Sequence, residues 1–273
     1  MTTAQKIIKY FAIGVAGLLA FSIFAGIAGA ALGLFAVVGI LGGSINAPEM
    51  EVECAQYEKC LSLQLGYSEL RIKTGGEKIT IESTDDEYEI ARNSDANIVI
   101  KDKKNTNWFG DRDREVVLTV PEDLVFDMVG IAAGAGRIDI EKLDTKELKM
   151  SLGAGKAVAK DVKVSSNAQI TAGAGIFMLE NSKLRDAEMK LGVGETRINA
   201  KLLGSSKINA GIGLVNLVLI ESGYEIDIDK GIGEVKYNGS KASDDLIIGN
   251  GENKISIYGG IGDIRITMDA VAE

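Results

Sequence analysis

Residues 134–143 read GAGRIDIEKL, and residues 153–162 read GAGKAVAKDV. The same Gly-x-Gly opening returns at Gly173, Gly192, Gly211, Gly231 and Gly260. Successive intervals are 19, 20, 19, 19, 20 and 29 residues. A near-constant period this short marks a solenoid, in which each repeat buries its apolar face only by stacking on the next. The last interval predicts a loop of roughly ten residues inserted into one rung.

Within each copy the pattern is that of a strand. Two residues past the second glycine stand Ile138, Ala157, Phe177, Thr196, Val215, Val235 and Ile264. Two further on stand Ile140, Ala159, Leu179, Ile198, Leu217, Tyr237 and Ile266, with Asp139, Arg197, Lys236 and Arg265 between. Apolar residues at period two describe a half-buried strand. A second strand per rung is legible at 147–152, 168–172, 187–191, 207–210 and 225–229. Each turn then reads strand, Gly-x-Gly corner, strand, polar corner, with a glycine at positive φ where a Cβ is penalised. The residue between the glycines runs Ala135, Ala154, Ala174, Val193, Ile212, Ile232, Ile261. Placed inward, this series predicts a corner narrow in the early rungs, where Ala154→Leu overpacks the core.

Residues 60–130 lack the motif but still alternate at 69–73, 78–82, 97–101 and 116–121. They are expected to form the opening rungs and a cap over the first sheet edge. From Tyr10 to Gly43 no residue is charged. That is long enough for one transmembrane helix. Lys6 and Lys9 precede it, and Glu49, Glu51, Glu53 and Glu58 follow. The positive-inside rule then puts the amino terminus in the cytoplasm and the rest outside. The expected organisation is a cytoplasmic stub (1–9), the span (10–43), a linker (44–59), opening rungs (60–130) and the repeat solenoid (131–273). The fold class is all-β, a single-stranded parallel β-solenoid with 19–20-residue rungs, preceded by one transmembrane helix.

A Lys-flanked span, a VVLTVP strand at 116–121 and repeated GAG-x-I-x-I turns together resemble the bacterial, adhesin-like family of toast-rack β-solenoid domains. The resemblance covers essentially the whole chain. It implies a membrane-anchored domain of unknown function in the bacterial cell envelope, with no catalytic residue set. Related domains accompany envelope-stress regulators.

Composition narrows the chemistry. The net charge is −9 and there is no His. No basic stripe is available for nucleic acid, and the commonest general base is missing. Outward acids such as Asp139, Glu195, Glu234 and Asp263 are scattered among Lys and Arg. Two-carboxylate glycosidase chemistry wants a fixed pair instead. No cofactor is expected. Four features remain as candidate sites. Val158, Ile176, Met178 and Leu214 break the charged outer face with an apolar patch, for a partner or for a covering segment of the chain. Trp108 and Phe109, beside Lys103 and Lys104, suit an anionic lipid surface or wall polymer, or plug an end of the solenoid. Cys54 and Cys60 form a disulfide in an oxidising compartment, or stay two small thiols. Ala25, Gly29 and Gly33 share one face of the span, where small residues let helices associate. The expected role is a non-enzymatic membrane-anchored adhesion, interaction or scaffold module, with wall polymer or another envelope protein as partner. The alternative is an extracytoplasmic sensory or regulatory subunit for envelope stress.

Overall fold

The computed structural model describes residues 52–84, 88–103, 114–221, 223–242 and 246–269. The expected span 10–43, with Ala25, Gly29 and Gly33, lies outside the described residues, as do Lys104, Trp108 and Phe109. The described residues form strands β1 (Cys60–Thr74), β2 (Thr80–Ser83), β3 (Tyr88–Ser94), β4 (Asn97–Asp102), β5 (Glu115–Val120), β6 (Val125–Ile140), β7 (Leu143–Lys160), β8 (Val162–Arg185) and β9 (Ala187–Leu203). They continue as β10 (Ser205–Asn209), β11 (Ile212–Ile220), β12 (Tyr224–Asp229), β13 (Val235–Tyr237), β14 (Ser240–Lys241), β15 (Leu246–Ile248), β16 (Asn253–Tyr258) and β17 (Ile261–Asp269).

The rungs stack as parallel ladders, and one apolar column fills the inside. In β7, Leu148, Met150, Ala157 and Ala159 are buried, while the residues between them are half-buried or exposed. Phe177 and Leu179 occupy the same places on the next rung, and Val215 and Leu217 do so two rungs further on.

Two features of the rung differ from the sequence expectation. Gly-x-Gly does not separate strands in β6 to β9, because each of these strands runs through it. A third short leg also closes each central rung: 143–145 pairs with 162–164, and 182–185 with 200–203. This leg holds only two inward residues per turn, such as Val162 and Val164, too few to show a period. Its corners use Asp161, Asn181 and Asp186 at φ of 46, 48 and 45°, where the short Asx side chain tolerates the left-handed region. Neighbouring corners bind one another. Asn181 Nδ2 donates to Asp161 Oδ1, Asn167 Nδ2 donates to Asp186 O (3.1 Å), and Ser205 N–H donates to Asp186 Oδ1 (2.8 Å).

The glycines are needed chiefly for closeness. A Cβ on Gly153 would lie 2.0 Å from Gly134 O, although the φ of Gly153 is ordinary. A Cβ on Gly155 would lie 2.0 Å from Gly136 O, and there φ is also +128°. At Gly153 and Gly155 the backbones approach too tightly for any side chain.

At both ends the chain leaves sequential order. After β10–β11 it builds the outermost rung, β12–β13, and then the short antiparallel strands β15 on β12 and β14 on β13. It returns as β16–β17 to fill the gap, pairing with β10–β11 on one side and β12–β13 on the other. The extra residues of the last interval are therefore an edge cap and its return, not a bulge on one rung. The other end does the same in reverse. β1 is an inner rung, β2 and β3 pair antiparallel with β5 and β4, and the β4–β5 rung lies outside β1. Antiparallel caps close parallel edges that would otherwise template aggregation.

The segment entering the solenoid is fastened at several points. Cys54 and Cys60 are disulfide-bonded, with Cα atoms 5.4 Å apart, and both are buried. Asn97 Nδ2 donates to Cys54 O and Tyr57 O, each at 2.9 Å. Asp127 accepts Lys59 N–H (3.0 Å) and the Lys146 ammonium (2.7 Å). These bonds, the Lys146 bond first, hold the Asp127 carboxyl below its ordinary range. In the unfolded chain it returns to that range, so the folded state binds fewer protons. The stabilisation is full above the unfolded pKa and disappears as pH falls through the folded one. Asp127→Asn is therefore expected to be less stable than the parent at pH 7, with the gap closing in acid. Urea titrations of both proteins across that range check this.

Candidate interaction surface

The residues between the glycines line up in register across eight rungs. In spatial order they are Tyr67, Ala135, Ala154, Ala174, Val193, Ile212, Ile261 and Ile232. Tyr67 belongs to an eighth copy of the motif, Gly66-Tyr67-Ser68, paired with β6. Ser in place of the second glycine, and a spacing outside the period, hide this copy in the sequence. The signal that finds it is the frame around it: LGYSELRI has the Leu-Gly-x-small register of LGAGKAVA.

Four of these side chains are exposed, contrary to the inward placement expected from the sequence, whereas Ala135 is buried. Val193 is 42% exposed, Tyr67 47%, Ile261 52% and Ile232 73%. The residue before the first glycine packs inward instead, as at Leu152 and Leu191. The glycine geometry explains the reversal. The mirror-image φ of the second glycine shifts the alternation by one, so the vertex residue no longer shares a face with its neighbours two away. The size series is consequently a feature of the surface. Ala154→Leu, half-buried at the vertex, is expected to change stability by less than about 0.5 kcal/mol. An unchanged thermal midpoint relative to the parent checks it.

Along this column runs an apolar trough from the Ala135 rung to the Ile261 rung, and Ile176, Leu214, Lys156 and Asp263 are among its lining residues. Ala135 is buried, and Ala154 and Ala174 are half-buried, so the alanines are recessed. In the other half Val193, Ile261 and Ile232 project and Ile212 is half-buried. The four residues expected as a patch are partly brought together. Val158 and Met178 are register partners and half-buried. Ile176 is 40% exposed and lies beside Glu195, whose other neighbour is Leu214. Ile176 and Leu214 thus belong to the trough, whereas Val158 and Met178 sit further along the strand face. Lys103 is exposed at the end of β4.

The position after the second glycine carries charge on most rungs, and the sign changes along the stack. Arg137 and Lys156 occupy the alanine half, and Glu195, Asp263 and Glu234 the isoleucine half. Arg137 is paired with Asp139 (3.1 Å), Glu195 with Arg197 (2.7 Å), and Glu234 with Lys236 (3.0 Å). The Lys236 and Lys241 ammonium groups hold the Glu234 carboxyl below its usual range. Exposed pairs of this kind contribute little stability but fix where charge is displayed.

The model of the Toastrack DUF4097 family matches residues 59–247. No curated protein sequence matches the chain. The crystal structure of a "putative cell adhesion protein" from Clostridium sporogenes is 20% identical, over 81% of this chain and 97% of that one, with a TM-score of 0.34.

Proposed function

This chain belongs to the Toastrack DUF4097 family, and on that footing we propose that it is a non-enzymatic, membrane-anchored interaction module of the cell surface. Its β-solenoid is a rigid scaffold that displays the Gly-x-Gly vertex. The observation that carries this reading is the uncharged column of eight vertex residues, five of them large and apolar, on a strongly acidic chain. A soluble domain gains nothing from exposing a row of Ile and Val unless a partner covers it. The anchor is the uncharged stretch 10–43, with the solenoid outside the cell.

Capture experiments with the full chain in detergent test the reading. Isolated cell walls and solubilised membranes are the two baits, and Ile176→Lys is the control that puts charge on the trough rim. Retention of wall polymer, lost in Ile176→Lys, is the expected result for an adhesion or scaffold role. A single membrane protein captured with the same sensitivity points to the envelope-stress regulatory role. Capture of neither overturns both.

A further inference from the structure

We infer that the partner seated on the Gly-x-Gly vertex is a second copy of the same chain, packed antiparallel about a two-fold axis between β8 and β9. This rests on the reading of the vertex as an interaction surface and names its occupant. The six inner rungs of the vertex column are self-complementary in size only in that arrangement. Numbering the rungs from Tyr67 to Ile232, a two-fold at the centre sets each rung against its mirror position. Ala174 then faces Val193 of the other copy, Ala154 faces Ile212, Ala135 faces Ile261, and Tyr67 faces Ile232. Every alanine in the recessed half receives a β-branched residue from the projecting half. A parallel pairing would set Ile against Ile and Ala against Ala, with a clash at one end and a gap at the other.

In the same symmetry charge is complementary at one of the four rung pairs. In the column after the second glycine, Arg137 comes opposite Asp263, Lys156 opposite Leu214, and Ile176 opposite Glu195. The one like-charged meeting is Glu69 with Glu234 at the two ends, and each already has cationic partners in its own chain: Arg71 for Glu69, and Lys236 and Lys241 for Glu234. In a parallel pairing the two-fold runs along the stack, and this column faces the legs before the glycines instead. The axis lies in the interface, perpendicular to the stack. The legs before the glycines therefore stay on one side of the pair, together with the two segments that enter at Val52. Two chains tethered in one membrane can adopt this arrangement. Seven steps of about 4.8 Å make a strip of roughly 34 Å. Co-tethering in one membrane raises the effective concentration of the two copies.

Cysteine cross-linking of the full chain in detergent micelles and in phosphatidylethanolamine–phosphatidylglycerol vesicles decides the matter, using a short bismaleimide. Ala174→Cys, next to the axis, is expected to cross-link to itself. Ala135→Cys, roughly 24 Å from its own copy at five rungs of separation, is expected not to. A mixture of Ala135→Cys and Ile261→Cys chains is expected to give the dimer band that neither gives alone. Cys54 and Cys60 are oxidised and do not compete. Ala154→Cys mixed with Ile212→Cys is an equivalent pair if one variant misfolds by circular dichroism. Self-cross-linking of Ala135→Cys, or no dimer from any combination, overturns the proposal. The readout needs no external ligand. Chains that fail to cross-link but capture wall polymer keep the interaction reading and lose the second copy. Chains that cross-link but capture nothing keep the second copy and lose the external partner.

Discussion

Gly155→Ala is expected to cost more than about 4 kcal/mol, which places it in the exceptional tail of single substitutions. The added methyl would lie 2.0 Å from Gly136 O and 3.0 Å from its carbonyl carbon, both backbone atoms of the neighbouring rung. No rotamer relieves this, because a Cβ has none. The residue also sits at φ +128°, outside the regions open to L-residues. Either β7 moves away from β6, breaking the ladder, or residue 155 changes conformation and turns the vertex. In a stack each rung is held only by its neighbours, so damage in the middle uncouples the two halves. Gly239→Ala is the internal control. Its φ is +79°, but no atom lies within 4 Å of the added Cβ, so only the left-handed penalty of about 1 kcal/mol applies. Urea titrations followed by far-ultraviolet circular dichroism separate the two. The expected pattern is a large drop, with loss of a single transition, for Gly155→Ala and a small shift for Gly239→Ala. Equal, small shifts would mean that neighbouring rungs can part at the vertex without loss.

Phe126→Ala is expected to cost about 3–5 kcal/mol. Phe126 heads the fully buried side chains by volume and is completely shielded. It stands on β6 opposite Thr145, whose hydroxyl donates to the Glu147 carbonyl (2.9 Å) and reaches Phe126 O (3.3 Å). Rungs this thin, built largely from Ala, Val, Ile and Leu, cannot collapse into the space a phenyl ring leaves, since the neighbouring rung is held in register at Thr145. Phe126→Leu retains most of the volume and should cost about 1 kcal/mol. Thermal melts of the two variants give the comparison. A mild effect of the alanine would mean that the β6 end of the core repacks freely.

The legibility of this chain follows from how local each feature is. The repeat, its strands and the charged outer face are readable because period two and a constant interval are properties of neighbouring residues. The second-leg strands fall where the alternation puts them, in β7, β8, β9, β10 and β12. The third leg is not readable, because two inward residues do not make a period. The eighth motif copy is hidden by Ser68, which fills the second-glycine place at an irregular spacing. In the candidate surface, Ile176 and Leu214 are readable as apolar residues at charged positions. The vertex column is visible as a series, but alternation alone puts it on the wrong side of the backbone.

Two properties of this protein are written in its residues: the chain is a stack of short parallel rungs, and glycine must stand at one vertex of each. Both follow from covalent geometry and from the apolar area that one rung cannot bury alone. The order of the end rungs and the direction of the vertex side chains emerge only in the folded stack. Whether β16–β17 goes outside β12–β13 or slips beneath it depends on which edge is left to be capped, and that is a property of the assembled sheet. Whether Ile232 faces core or solvent depends on the backbone inversion at Gly233, where a Cβ would lie 1.7 Å from Gly262 O. That carbonyl belongs to the adjoining rung, and no local pattern around Ile232 can announce it.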